Sequence, residues 1–223
     1  MKVDRIVLDG TSGDVTVRTS AIAETRITRI VRSGSDPQAG YTLTGTQLHL
    51  SGDCGPDCSV SYLIEAPAGV GVTGELTSGS MTLTGVASAD VHAASGDLEI
   101  RGATGPVKAR TESGDVTVAD SAGAATLGSS SGDVHAINVG GAVDAMASSG
   151  NIDVQLTAPA SIRAIASSGN VDVIVPAGGY QLRTNTSSGD ATVQGVTDDP
   201  KAKNVLSLTA SSGDISVTAR PAA

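Results

Sequence analysis

The sequence predicts an all-β fold, a parallel β-solenoid (single-stranded β-helix) with rungs of roughly 18 residues. Three observations support this fold class. A Ser-Gly pair followed by Asp, Asn or Ser and then by alternating apolar and polar residues occurs nine times, with its glycines at positions 13, 79, 96, 114, 132, 150, 169, 189 and 213. From position 79 onward these glycines are 17, 18, 18, 18, 19, 20 and 24 residues apart. Apolar and polar residues alternate on both sides of most of them, which is typical of short strands.

The first strand of each repeat follows its glycine. The residues two and four positions after the glycine are apolar in all nine repeats, and the residue between them is polar, as in Val116, Thr117 and Val118. Nine aligned copies of this period-two pattern, rich in β-branched residues, indicate a strand with one buried face.

The second strand precedes the glycine. The residues seven and five positions before it are mostly apolar, as in Val107 and Ala109, and a charged residue such as Lys108 often stands between them. Two short strands joined at a glycine corner make one rung. Because such a rung cannot bury its apolar face alone, consecutive rungs must stack at about 4.8 Å. The spacings do not determine the handedness of the winding, for which a right-handed path is the expectation.

The chain divides into two regions of unequal regularity. Residues 1–70 contain strand-like segments without the repeat spacing and are interpreted as an N-terminal β cap with the first rungs. Residues 71–223 are interpreted as the regular solenoid, continuous with the cap. Only five residues follow the strand 214–218, so we expect that strand to form the last rung. Its open edge would support a weak homodimer through the C-terminal rung.

Composition limits both the core and the partners. The 223 residues include no Phe, no Trp and three Tyr, so small aliphatic residues must fill an interior with little room for rings. A net charge of −9 argues against nucleic acid and anionic membranes as partners. No apolar run approaches the ~18 residues of a transmembrane segment. The first residues lack a secretory signal, so we expect a cytoplasmic protein, or a cell-envelope or extracellular one if an export segment precedes it.

The repeat motif itself carries a family resemblance. Ser-Gly-Asp-Val-Thr-Val occurs at Ser12–Val17 and Ser113–Val118, and Ser-Gly-Asp-Ile-Ser-Val occurs at Ser212–Val217. In these units the chain resembles a bacterial family of β-strand-repeat proteins known as putative adhesins or as domains of unknown function. The resemblance covers nearly the whole chain and implies the repeat fold. It supplies no catalytic residues, so a function has to be argued from a site.

Asp97, Asp115 and Asp133 are candidate metal ligands because each directly follows the repeat glycine in consecutive repeats. Carboxylates about 5 Å apart repel each other by roughly 0.8 kcal/mol in water. A Ca²⁺ ion, which prefers hard oxygen ligands, would relieve that repulsion, and it is the only cofactor that the sequence suggests. The alternative is that these side chains hydrogen-bond the backbone at the corner, which Asn and Ser at the same position in other repeats favour.

Cys54 and Cys58 are the two cysteines of the chain and flank a Gly-Pro turn. Two thiols four residues apart do not complete a zinc site, and no histidine follows at zinc-finger spacing. A Cys54–Cys58 disulfide and a pair of reduced thiols are both compatible with the sequence.

No catalytic or cofactor-binding constellation is recognisable in the sequence. A carbohydrate-active β-helix enzyme would need aromatic platforms and a walled cleft, and the chain has almost no aromatic residues. We therefore predict a non-enzymatic scaffold that acts as an adhesion or protein-interaction module for an unidentified protein or surface ligand. A self-assembling, filament-like element is the alternative, and a carbohydrate-active enzyme ranks third.

Overall fold

The computed structural model describes residues 3–32, 40–52 and 58–220, and within these ranges every regular element is a β-strand. The strands form two sheets that enclose one apolar core. Sheet A has twelve strands and sheet B has eleven, and nearly all neighbours are parallel. The predicted parallel β-solenoid is confirmed.

The strands are numbered in chain order, and those of sheet A are listed first. They are β1 (Arg5–Ser12), β4 (Tyr41–Thr44), β5 (Gln47–Ser51), β7 (Gly71–Ser78), β9 (Ser88–Ser95), β11 (Val107–Ser113), β13 (Ala125–Ser131), β15 (Val143–Ser149), β17 (Ile162–Ser168), β19 (Gly179–Ser188), β21 (Thr197–Asp198) and β22 (Val205–Ser212). Those of sheet B are β2 (Val15–Ser20), β3 (Arg26–Arg32), β6 (Ser59–Pro67), β8 (Met81–Thr84), β10 (Leu98–Arg101), β12 (Val116–Ala119), β14 (Val134–Val139), β16 (Ile152–Leu156), β18 (Val171–Pro176), β20 (Ala191–Gln194) and β23 (Ile215–Arg220).

Each rung contributes one strand to each sheet, and equivalent residues lie directly over one another. Val116 pairs with Leu98 on one side and with Val134 on the other. Val116 and Val118 are completely buried, whereas Thr117 between them lies on the outer face. The register that the period-two pattern predicts is therefore the one observed.

The order of the rungs in the stack differs from their order in the sequence at both ends. β1 lies between β5 and β7, and β2 lies between β6 and β8. In the same way β22 lies between β17 and β19, and β23 lies between β18 and β20. The expectation that strand 214–218 is the last rung with an open edge is therefore wrong. The chain first forms the outermost rung with β19 and β20. The later strands β22 and β23 then insert between that rung and the rung of β17 and β18, so that β23 has partners on both edges.

The two ends of the stack are closed by different means. At the N-terminal end, β3 and β4 run antiparallel to β6 and β5 and cover the first rungs. Tyr62 lies buried beneath this cap, and its hydroxyl donates to the Gly40 carbonyl at 2.5 Å. At the other end Tyr180 is fully buried and donates to the Pro176 carbonyl at 3.0 Å. Two of the three tyrosines thus fill the ends of a core that elsewhere holds aliphatic residues.

The repeat glycines form a column at the corner between the two sheets. Gly132 has a φ of +144°, and a Cβ atom there would lie 2.1 Å from the carbonyl oxygen of Gly114 in the rung below. The same approach, 2.0–2.6 Å to the backbone of a neighbouring rung, recurs at all nine repeat glycines. Any side chain at these corners would hold the rungs apart.

Gly132→Ala should therefore destabilise the protein strongly. The strained backbone and the collision with Gly114 together cost about 2–5 kcal/mol, which for a chain of this size lowers the melting temperature by roughly 10 °C. Gly128→Ala is the matched control because its Cβ would meet nothing closer than 3.5 Å. Thermal unfolding followed by circular dichroism would show a change within about 0.5 kcal/mol for the control. Equal losses in the two variants would contradict the role of the corner.

Candidate functional site

Asp97, Asp115 and Asp133 lie at the glycine corner in three consecutive rungs. The Asp115 amide donates to Oδ1 of Asp97 at 2.9 Å, and the Asp133 amide donates to Oδ1 of Asp115 at 2.8 Å. The Asn151 amide continues the series to Oδ1 of Asp133 at 2.7 Å. One oxygen of each side chain is thus used to join its rung to the next. An asparagine side chain can accept the same hydrogen bond, which explains why both Asp and Asn occur at this position of the repeat.

The arrangement at the corner gives the three aspartates a structural role. Within the described ranges no group of three or more Asp, Glu, His or Cys side chains is placed to hold a metal ion together. The hydrogen bonds between rungs use only the Oδ1 atoms of these aspartates and not their Oδ2 atoms. Calcium binding by these residues therefore stays a prediction.

The two cysteines are placed only in part. Cys58 is described and is disulfide-bonded. Cys54 lies outside the described residues, so the Cys54–Cys58 pairing stays a prediction.

The outer face of sheet B carries a row of ionisable side chains in neighbouring rungs. Nδ1 of His135 lies 2.8 Å from Oδ2 of Asp153, and Asp153 pairs in register with Asp172. Desolvation by partial burial raises the pKa of the Asp172 carboxyl, and the nearby charges of Asp153 and Asp214 raise it further. A hydrogen bond with Ser216 acts in the opposite direction. This row is therefore a place where the fold holds like charges close together.

The outer face of sheet A has a gap in its columns of side chains. Gly128 on β13 pairs with Arg110 on β11 and with Met146 on β15, so the column has no side chain between these two. The gap is a depression of about 350 Å³, which we call the Gly128 notch. Its remaining lining includes His92, Glu112, Thr126, Ser130, Asp144 and Ser148.

The charges in and around the notch differ in their pairing. On the outer face of sheet A, Nζ of Lys108 lies 3.5 Å from Oδ1 of Asp90, and Nη1 of Arg163 lies 3.0 Å from Oδ1 of Asp144. Arg110, by contrast, has no hydrogen bond or ion pair with any residue that the structure describes. Its Cγ lies 3.5 Å from the point where a Cβ of residue 128 would be, so its stem runs along the notch.

The second feature of the notch is its apolar wall. The Met146 side chain is 45% exposed, which makes it one of the most exposed large apolar residues of the described chain. An unpaired guanidinium and an exposed thioether about two rungs apart, roughly 9.6 Å, can contact one ligand at once. A carboxylate would bind Arg110 with paired, charge-assisted hydrogen bonds, and an apolar group would cover Met146.

Sequence reasoning missed the Gly128 notch. The Gly-Ser-Ser-Ser-Gly segment at 128–132 ends at a repeat corner, where Ser129 donates to the Gly114 carbonyl at 2.9 Å. Gly128, however, lies on the strand with its missing side chain directed outward. Alignment of the repeats on their glycines would have shown a glycine where neighbouring repeats carry Arg110 and Met146.

No helix among the described residues has both the length and the apolar character required to cross a bilayer.

Comparison with known proteins finds one matching family model and two similar solved structures. The family model described as Toastrack DUF4097 matches residues 71–218. A crystal structure of a putative adhesin from Bacteroides fragilis is similar, with a TM-score of 0.57 and 16% identity over 99% of this chain and 93% of that one. A putative cell adhesion protein from Clostridium sporogenes aligns over 98% of this chain and 94% of that one, with 12% identity and a TM-score of 0.30. No curated protein matches the chain.

Asp115 offers a direct test of the corner ladder. Asp115→Asn keeps the Oδ1 acceptor and removes a charge between Asp97 and Asp133, so we expect equal or slightly higher stability in calcium-free buffer. Asp115→Ala removes the acceptor and should cost about 1 kcal/mol. Melting temperatures with and without millimolar Ca²⁺ complete the experiment, because an ion bound to the folded state raises stability by linkage. If Asn and Ala were equally destabilising, the ladder would not be the reason for these residues.

Asp172 predicts a pH dependence of stability. A carboxyl whose pKa is raised by folding favours the folded state while it is protonated, and this contribution is lost as pH rises through the raised pKa. Asp172→Asn should therefore melt at a higher temperature than the parent at pH 7, and the difference should shrink as the pH falls towards about 3. A difference that stays constant between these pH values would assign the effect to packing rather than to charge.

Proposed function

The chain belongs to the Toastrack DUF4097 family, and we propose that it is a non-enzymatic β-solenoid scaffold that acts as an adhesion or protein-interaction module. In this proposal the outer face of sheet A is the ligand-binding face, and the Gly128 notch is its centre. The solenoid supplies a rigid surface on which side chains occupy fixed columns.

The main support for the proposal is that Arg110 has no ion-pair partner among the described residues. It lies next to Gly128, which contributes no side chain to the outer face of sheet A. Lys108 and Arg163 on the same face are already paired with carboxylates, and Arg110 is not. Its backbone lies on a preformed strand, so binding has to order the arginine side chain but no loop. Arginine with a neighbouring exposed apolar side chain is a combination that protein interfaces favour.

The chemistry of the notch favours an extended peptide segment with one carboxylate next to an apolar side chain. The carboxylate would pair with Arg110, and the apolar side chain would cover Met146. Glu112 and the net charge of −9 disfavour a strongly acidic ligand. A sugar is the weaker candidate because the lining of the notch includes no Phe, Tyr or Trp side chain on which a sugar ring could stack.

The fate of the other polar residues supports a non-enzymatic role. Asp97 and Asp115, which follow the repeat glycines, hold neighbouring rungs together through their Oδ1 atoms. Ser129 and Thr111 donate to carbonyl groups at the same corner. The Bacteroides fragilis protein of similar fold is described as a putative adhesin, which agrees with a binding role.

The proposal is tested by selecting peptides on the protein and then changing the notch. A phage-displayed library of random linear peptides is panned against the parent protein, and selected peptides are measured by isothermal titration calorimetry. Gly128→Gln fills the notch, and Arg110→Gln removes its charge. Each change should weaken binding by about tenfold or more, because a hydrogen bond to a charged group contributes about 1.5–3 kcal/mol.

Arg101→Gln is the matched control, since it removes the same charge from the outer face of sheet B, where Arg101 is paired with Glu99. It should leave the affinity of the selected peptides unchanged. The proposal fails if the selected peptides bind the parent and the Gly128→Gln variant equally, or if panning enriches no peptide over a blank surface.

A further inference from the structure

The C-terminal end of the stack leaves a row of backbone groups unpaired. Among the described residues β20 pairs only with β23, and β19 pairs with β22 on one side and, through Gly179 and Tyr180 alone, with β21 on the other. The Ile215 amide donates to the Asp190 carbonyl, so the backbone C=O of Asp190, just before β20, points towards β23. Because direction alternates along a strand, Ala191 and Val193 direct their N–H and C=O groups away from the stack.

The side chains of this outermost rung are also less covered than those of the rung beneath it. Val193 is 39% exposed, whereas Val217, its partner in register, is completely buried. Ala191 is exposed, whereas its partner Ile215 is 1% exposed. Another strand laid against this edge would therefore bury apolar surface as well as satisfy hydrogen bonds.

β20 lacks the features that usually protect an exposed strand, whereas β19 carries Arg183 and is covered at its start by β21 and by Asp198, whose Oδ1 accepts from the Leu182 amide. β20 reads Ala-Thr-Val-Gln, with no charge, no proline and no bulge. The edge strand of sheet B at the opposite end, β3, carries Arg26, Arg29 and Arg32. Two copies of β3 would bring arginines together, whereas two copies of β20 bring no charged side chain opposite a like charge.

We propose that the edge formed by β19 and β20 binds a second copy of this chain. A two-fold axis normal to the sheets would pair β20 with β20 and the uncovered residues 183–188 of β19 with the same residues of the other molecule, antiparallel in both sheets, and would close the assembly as a dimer. This inference is independent of the Gly128 notch, which lies on the outer face of sheet A several rungs away.

The variant Val193→Pro isolates the contact. Among the residues that the structure describes the Val193 amide has no partner, so proline removes the intermolecular donor without removing a described intramolecular hydrogen bond. Sedimentation velocity from micromolar to millimolar concentration should show a monomer–dimer equilibrium for the parent protein. The variant should raise the dimer dissociation constant by about tenfold or more. Val193→Lys is a second variant, for the case that proline disturbs the rung itself. It places like charges at the centre of the paired strands and should raise the dimer dissociation constant in the same way.

Amide hydrogen exchange supplies a second readout. In the parent protein the Ala191 and Val193 amides should exchange more slowly at high than at low protein concentration. In the Val193→Lys variant the Ala191 amide should exchange at the same rate at all protein concentrations. Ile30→Lys on β3 is the control at the opposite end, where Ile30 is 50% exposed, and should leave the equilibrium unchanged. A parent protein that is monomeric throughout the concentration range overturns the proposal. So does assembly beyond a dimer that Ile30→Lys abolishes, because that result indicates head-to-tail stacking.

Discussion

The close stacking of the glycine corners is the constraint on which the rest of the structure depends. Each corner approaches the carbonyl oxygen of the corner beneath it so closely that no Cβ fits between them. This contact fixes where both strands of a rung begin, and the register of the two sheets follows from it. Since a slip by one residue would turn every apolar side chain outward, corner and core reinforce each other. Asp115 and its equivalents then use their side chains to hold the corner in place.

A fixed register makes the surface a set of columns in which each side chain has a neighbour about 4.8 Å above and below. Charges in one rung are therefore coupled to those in the next. Opposite charges form pairs, as with Arg163 and Asp144, and like charges such as Asp153 and Asp172 are held close at some cost. A missing side chain in a column, as at Gly128, opens a depression that no loop is needed to build. In such a fold, an irregularity in a column creates room for a ligand on an otherwise uniform surface.

The strands, the buried face and the role of the corner were predictable because they depend on local pattern. The order of stacking was not, because it depends on which strand edges are free once the other rungs have formed. Its traces in the sequence are the spacings of 20 and 24 residues on either side of Gly189 and the 66 residues between Gly13 and Gly79. Tyr62 and Tyr180 were equally hard to place, since a ring fits only where the stack ends. The Gly128 notch had a signal in the aligned repeats, but the unpaired state of Arg110 required coordinates.

The exchange of order at both ends decides how the stack is terminated. The first and last strands of the described chain, together with their partners in the other sheet, have neighbours on both edges. Segments from further inside the sequence form the outermost rungs instead. The positions beside β1 are occupied by β5 and β7, and those beside β23 by β18 and β20. The edges of the described stack are therefore set by the order of the strands as well as by the antiparallel cap.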